Sequence, residues 1–102
     1  MARLVVMYKT PKDTAAFDQH YFDKHVALAR KIPGVQAYEV SRGAVATPAG
    51  PSGYYLVAVL EFDDMAAIRK AFTSPEGQAA VADVGIFATG GVDIYMFDSE
   101  DV

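Results

Sequence analysis

His25 is the side chain whose type and position best suit it to chemistry. Imidazole takes up and releases protons near neutral pH, which makes histidine the usual general acid or base. His25 lies between Tyr21 and Leu28 on the apolar stripe of a predicted helix, so its ring is expected to point at the sheet. The spacing makes His25 a candidate catalytic residue. The alternative is a buried histidine that bonds only a backbone carbonyl.

Tyr38 and Asp83 are the candidate catalytic partners of His25. The helix rises roughly 10 Å from His25 to Ile32. A strand covers roughly 10 Å from Val35 to Tyr38, so Tyr38 is expected level with His25. Asp83 is a lone acid near the end of an apolar helix, where the dipole disfavours a carboxylate unless a hydrogen bond offsets it. The alternatives are a dimer-face role for Tyr38 and a loop-anchoring role for Asp83.

Tyr21 and His20 complete the polar groups near His25. Tyr21 shares its stripe and is predicted to bind substrate, with a plain core role as the alternative. His20 is predicted at the surface or rim of the site. Five residues separate His20 from His25, which in an α-helix turns them to different sides, unlike the i, i+4 pair of zinc sites. With no cysteine in the chain, we expect no metal site.

These candidates lie on elements predicted in the order β-α-β-β-α-β, from the alternating and helical spacing of apolar residues. Strands are predicted over 3–9, 35–45, 54–62 and 92–98, and helices over 14–32 and 65–87, the second restarting at Ser74-Pro75. The first helix carries an apolar stripe spaced 4, 4, 3 and 4 residues apart: Phe17, Tyr21, His25, Leu28, Ile32. Two split βαβ units predict an α+β, ferredoxin-like fold, in which a four-stranded antiparallel sheet has both helices on one face.

The third and fourth strands are apolar on both faces. Residues 54–60 read YYLVAVL, and the last strand has Ile94 and Met96 on one side and Tyr95 and Phe97 on the other. Helices cover only one face of such a sheet, and soluble monomers avoid large exposed apolar patches. The simplest cover is the same face of a second copy, so the sequence predicts a homodimer packed sheet against sheet.

Length and composition restrict the number of domains and the kinds of partner, location and cofactor that we expect. The 102 residues fit a single domain, 1–102. Nine Lys and Arg against thirteen Asp and Glu give a net charge of −4, with no basic stripe, so we expect no nucleic-acid partner. The longest apolar run is far below the ~20 residues of a membrane span, so no membrane partner is expected and a cytoplasmic location is predicted. No Gly-rich phosphate loop is present, and no cofactor is expected.

Several stretches resemble the EthD-like family of the dimeric α+β barrels, and the resemblance covers essentially the whole chain. In the family helix an aromatic pair is followed by a histidine, as in residues 17–25 (FDQHYFDKH). The remaining agreements occur in the same order and spacing: 32–35 (IPGV), 60–63 (LEFD), 71–76 (AFTSPE), and Ala82-Asp83 followed by Phe87. The resemblance implies a dimeric α+β barrel, and it supports a functional role for His25.

The resemblance implies a pocket more firmly than a reaction. The family is named after a gene in an ether-degradation cluster, and related barrels include cofactor-free lactone isomerases, polyketide dehydratases and monooxygenases. In the lactone isomerases a His and a Tyr at places comparable to His25 and Tyr38 line the pocket. The expected function is a small cofactor-free enzyme that acts by proton transfer on an apolar, carbonyl-bearing metabolite of a catabolic or biosynthetic pathway. The alternatives are a non-catalytic accessory or ligand-binding protein, a cofactor-independent monooxygenase, and haem binding through His25.

Overall fold

Six strands and three helices make up the chain, and the computed structural model describes all of residues 1–102. The strands are β1 (Ala2–Lys9), β2 (Ala37–Val40), β3 (Ala46–Thr47), β4 (Gly50–Pro51), β5 (Tyr54–Phe62) and β6 (Val92–Asp98). Four of them form one antiparallel sheet in the order β2-β5-β1-β6, while β3 and β4 form a separate two-stranded ribbon. This order, with β1 in the interior of the sheet, confirms the predicted ferredoxin-like α+β fold.

The helices begin at capping side chains that were evident in the sequence. Helix α1 comprises an α-helical part (Thr14–His20), a π-helical turn (Tyr21–His25) and a second α-helical part (Val26–Arg30); α2 is Met65–Thr73 and α3 is Pro75–Phe87. Asp13, Asp64 and Ser74 each accept a hydrogen bond from a backbone N–H of the first turn that they precede. Such caps satisfy donors that have no partner within the helix.

The core lies between the helices and one face of the sheet. Alternate residues of β1 and β5 are buried on this face, because successive side chains of a strand point to opposite sides. They are Ala2, Leu4, Val6, Tyr8, Leu56, Ala58, Leu60 and Phe62. The register pairs Tyr38 with Leu60, so Tyr38 also faces the helices. This placement excludes a position for Tyr38 on the opposite face of the sheet.

The opposite face of the sheet is largely apolar and has no helix over it. Val5 and Met7 of β1 lie beside Val59 and Val57 of β5 on this face, and all four are only half-buried. On the neighbouring strand β6, the side chains of Tyr95 and Phe97 remain 58% and 45% exposed. The predicted two-sided apolar character of these strands is therefore present in the folded chain.

Two predicted elements were too long. The strand predicted over 35–45 is confined to β2, because at Ser41 the chain leaves the sheet after exchanging hydrogen bonds with Val57. The helix predicted over 14–32 ends at Arg30, since the residue before a proline is disfavoured in the α conformation. Gly34 then takes a positive φ, at 88°. No helix in the fold is both long and apolar enough to cross a membrane.

Candidate active site

A π-helical turn in α1 brings His20 and His25 to the same side of the helix. The turn covers Tyr21–His25, and its wider i→i+5 bonding is represented by the Val26 N–H donating to the Tyr21 carbonyl. A π-helical turn contains more residues than an α-helical turn, so two histidines five residues apart lie on the same side of the helix here. The prediction that they face different sides was wrong, because it assumed an uninterrupted α-helix. Ala29, not Leu28, continues the buried stripe.

Asp83 bridges the two histidines. Its Oδ2 lies 2.9 Å from Nδ1 of His25, and its Oδ1 lies 2.8 Å from Nε2 of His20. Asp83 and His25 are buried, at 6% and 5% exposure, whereas the side chain of His20 is 21% exposed. An ionised carboxylate can only accept hydrogen bonds, so both ring nitrogens carry the hydrogens. These two bonds offset the unfavourable position of Asp83 near the C-terminus of α3.

The electrostatics of the bridge favour a neutral His25 beside an ionised Asp83. Burial lowers the pKa of His25 below its ordinary 6.5, although the hydrogen bond to Asp83 opposes this shift. Burial acts to raise the pKa of Asp83, but the hydrogen bonds from His20 and His25 outweigh it and hold that pKa below 3.8. At neutral pH His25 therefore keeps its hydrogen on Nδ1. Its Nε2 has a free lone pair and no hydrogen-bond partner in the chain.

Tyr21 and Tyr38 form a second polar pair next to the first. Their hydroxyl oxygens are 2.6 Å apart, and the ring of Tyr21 lies 5.2 Å from that of His25. Burial raises the pKa of both phenols above the ordinary 10.0, so both stay protonated. Tyr21 is fully buried and Tyr38 only half-buried. Either hydroxyl can donate in this bond, and donation from Tyr21 to Tyr38 leaves the hydroxyl hydrogen of Tyr38 free for a ligand.

A small apolar cavity lies between the helices and the sheet beside these groups. It has a volume of about 50 Å³, and 14 of its 16 lining residues are hydrophobic. Tyr21, His25 and Tyr38 lie in its wall. Val81 and Ile94 also line it and are 50% and 44% exposed, so the cavity opens to solvent between α3 and β6. The free nitrogen of His25 is thereby available to a molecule that enters from this side.

The structure brings together all four residues singled out from the sequence, in two bonded pairs: His25 with Asp83, and Tyr21 with Tyr38. Sequence reasoning missed His20 as a partner of Asp83. It also missed Phe87, whose ring centroid lies 4.8 Å from that of His25 and 5.2 Å from that of His20. The only sequence signal was the position of Asp83, an acid near the C-terminal end of α3 that needs hydrogen-bond donors there. The histidines and Asp83 do not form a group that could hold a metal ion.

The fold and the site define a small ferredoxin-like α+β protein with a buried His–Asp pair beside an apolar cavity. The family model described as the EthD domain matches residues 9–91, and the chain belongs to that family. An "uncharacterized 11.0 kDa protein in thcB-thcC intergenic region" of Rhodococcus erythropolis is 42% identical over 102 residues, which is 100% of this chain and 98% of that protein.

Solved structures share the fold. The crystal structure of an EthD family protein from Bacillus halodurans is 35% identical, with a TM-score of 0.89 over 98% of this chain and 99% of that one. SnoaB, a cofactor-independent oxygenase from Streptomyces nogalater, is 16% identical, with a TM-score of 0.68 over 99% of this chain and 94% of its own. The likeness to SnoaB is one of fold alone.

Proposed function

We propose that this protein is a small cofactor-free enzyme that moves a proton on an apolar, carbonyl-bearing metabolite. The observation that carries the proposal is the buried Asp83–His25 pair, which leaves the Nε2 lone pair of His25 unpartnered at an apolar cavity. A neutral imidazole with one nitrogen held by a carboxylate is the arrangement of a general base. Membership of the EthD family is compatible with a small enzyme.

In the proposed reaction, Nε2 of His25 removes a proton from the carbon next to the substrate carbonyl. The electron pair of that C–H bond forms a double bond to the carbonyl carbon, the C=O π pair moves to the oxygen, and the hydroxyl of Tyr38 donates a hydrogen bond to the resulting enolate oxygen. Asp83 stabilises the imidazolium that forms. Where a β,γ-double bond extends the enolate, return of the proton from His25 to the γ-carbon restores the carbonyl and gives the conjugated isomer. Departure of a β-hydroxyl, protonated by His25, as water gives dehydration.

The apolar wall supports this division of roles. Water is a poor competitor in a cavity lined almost entirely by hydrocarbon, and each polar contact is stronger at low dielectric. The volume of about 50 Å³ is below the ~150 Å³ of a cavity that holds benzene. We therefore propose that only the reacting end of the substrate enters, while its remaining apolar part lies at the mouth against Val81 and Ile94.

One other candidate, a non-catalytic accessory or ligand-binding protein, is favoured by a cavity too small to enclose a whole substrate. Pockets that enclose a small molecule commonly measure roughly 300–1,000 Å³, and a cavity of about 50 Å³ is smaller. In this candidate Tyr38 and His25 would hold a carbonyl or hydroxyl group without changing it. The two candidates differ in whether the bound molecule exchanges hydrogen with solvent.

We also infer that the active unit is a homodimer. The helix-free face of the sheet is apolar at its centre, around Val5 and Val59, and a second copy of the same face would remove it from water. The ion pair of Arg3 with Glu61, whose atoms are 2.6 Å apart, lies at the border of this apolar centre. A polar border around an apolar centre is typical of protein interfaces.

The test is hydrogen exchange on metabolites. The protein is incubated in D2O with fractionated extracts of apolar metabolites, and mass spectrometry identifies any compound that gains deuterium or changes mass only when the protein is present. His25→Ala should lower this rate by at least the ~10²-fold typical of losing a general base. Lys24→Ala, an exposed change on the same turn, should leave it unchanged.

Three results would overturn the proposal. Equal exchange by the His25→Ala variant would remove its base. A retained compound that neither exchanges nor reacts would favour the ligand-binding candidate. Oxygen consumption together with a mass gain of one oxygen atom would instead assign an oxygenase activity, the class of activity by which SnoaB is described.

A further inference from the structure

His20 has no part in the reaction described above, yet it bonds the carboxylate on which His25 depends. Its Nε2 lies 2.8 Å from Oδ1 of Asp83, the oxygen that does not bond His25. Its ring also stacks on Phe87, with centroids 5.2 Å apart and an interplanar angle of 27°. Two different contacts therefore fix the orientation of this partly exposed histidine.

We propose that His20 is a positioning residue, which holds the Asp83 carboxylate so that its other oxygen fixes His25 in the tautomer with hydrogen on Nδ1. The assignment of a base role to His25 rests on the proposed function, but the tautomer itself is a property of the folded chain. His20 acts through Asp83 and does not line the cavity.

The burial of Asp83 explains why one histidine is insufficient. Asp83 is 6% exposed, and His20 is the only group that donates a hydrogen bond to its Oδ1. A buried oxygen left without a donor costs the desolvation of that group. Without His20 the carboxylate would turn toward solvent or share both oxygens with His25, and Nδ1 of His25 would lose its fixed acceptor.

The π-helical turn is a second, independent observation. Such turns are rare and occur frequently at functional sites. Here the turn covers Tyr21–His25, the segment that separates the two histidines. An α-helix in the same place would rotate His20 away from Asp83 while leaving the rest of α1 able to pack. The backbone irregularity is thus located where it places His20 on the carboxylate.

The experiment reads the tautomer of His25 directly. Proton–nitrogen NMR of the imidazole rings distinguishes a protonated from an unprotonated ring nitrogen, in the protein alone and without a substrate. His20→Gln keeps an amide N–H near the position of Nε2, whereas His20→Leu removes the donor. His20→Phe also removes the donor but keeps an aromatic ring against Phe87, and it replaces His20→Leu if the latter fails to fold.

In the wild type and in His20→Gln, we expect a single His25 tautomer with hydrogen on Nδ1. In the variant without a donor, the tautomer with hydrogen on Nε2 should become populated. Once an assay exists, kcat should fall at least about tenfold in that variant, the lower end of the loss seen for partners that orient metal-ligating histidines. His20→Gln should restore kcat, and KM should change little.

An unchanged His25 tautomer in the variant without a donor overturns this proposal. So does equal loss in His20→Gln and His20→Leu, which would indicate only a packing role. An inactive wild type with the expected tautomer changes would overturn the proposed function and leave the positioning role in place. The two failures are therefore distinguishable.

Discussion

The proton balance of His25 determines how the folded chain responds to acid. Burial holds the pKa of His25 below 6.5, against the opposing effect of the hydrogen bond that His25 donates to Asp83. Unfolding exposes the ring and returns its pKa to the ordinary value. Between these two values the unfolded chain binds more protons than the folded one, so the free energy of unfolding falls as the pH falls through that window. Below the folded pKa this loss is complete.

We predict that His25 titrates below pH 6.5 and that stability declines in step with it. NMR titration of the His25 ring gives the pKa, and urea unfolding between pH 5 and 8 gives the stability. His25→Gln should flatten the stability profile in this window. Stability that Asp83 contributes is present above pH 3.8 and is lost only as the pH falls through its lowered folded pKa. A His25 pKa above 6.5 would contradict the prediction.

The tyrosine pair makes a prediction that needs no substrate. Tyr38→Phe leaves the hydroxyl of the fully buried Tyr21 without its only partner, and we expect a loss of about 1–3 kcal/mol in the free energy of unfolding. Tyr21→Phe should cost less, since Tyr38 is half-buried and can turn to water. The double variant should be nearer to wild type than Tyr38→Phe alone. Chemical denaturation of all four proteins measures this cycle, and equal single-variant losses would contradict it.

At the scale of elements, the turn after α1 sets the return of the chain into the sheet. Gly34 has a φ of 88°, which a β-branched residue adopts only under strain. An added Cβ would meet Phe62 at 3.5 Å, an ordinary contact, so the cost lies in the backbone. Gly34→Val should therefore lower the free energy of unfolding by about 1 kcal/mol or more.

Gly85 provides a control of opposite sign. It lies inside α3, and no atom lies within 4 Å of the position that an added Cβ would take, so Gly85→Ala should stabilise the protein by roughly 0.5–1 kcal/mol. Thermal unfolding of both variants tests the pair. A neutral Gly34→Val, or a destabilising Gly85→Ala, would show that local backbone preference does not determine these positions.

Local signals predicted the regular elements because local chemistry decides them. The bounds of β5, β6 and α3 agree with runs of alternating or periodic apolar residues and with the Ser74-Pro75 start signal. The π-helical turn was not predictable from local pattern, since the contact that accompanies it joins His25 to Asp83, 58 residues away in the chain. The sequence predicted the contact of His25 with Asp83 only as one of two alternatives. The spacing of apolar residues places a side chain on one face of a helix, but it does not identify the side chain that it contacts.

At the scale of the whole molecule, one side of the sheet lacks a partner. Its exposed apolar side chains include Tyr95 and Phe97, and β6 also carries the exposed Ile94 and Met96 on its other side. An edge strand that is apolar on both faces is a site of association. The ends of the sheet are different, since Arg3 and Glu61 form an ion pair there. This pattern of an apolar centre and a charged end suits a second copy related by a two-fold axis.

We predict that the protein is a dimer in solution, with a mass twice that of the 11.0 kDa chain, and that one charge at the centre of the apolar face separates it. Val5 lies between Val59 and Tyr95 on this face. In a two-fold dimer Val5→Lys would bury two like charges near each other, which costs several kcal/mol.

Ala66→Lys adds the same charge on the exposed side of α2 and should leave the dimer intact. Light scattering at micromolar concentration distinguishes the species, with circular dichroism as the folding check. A monomeric wild type, or a Val5→Lys variant that stays dimeric, would place the interface elsewhere or exclude it.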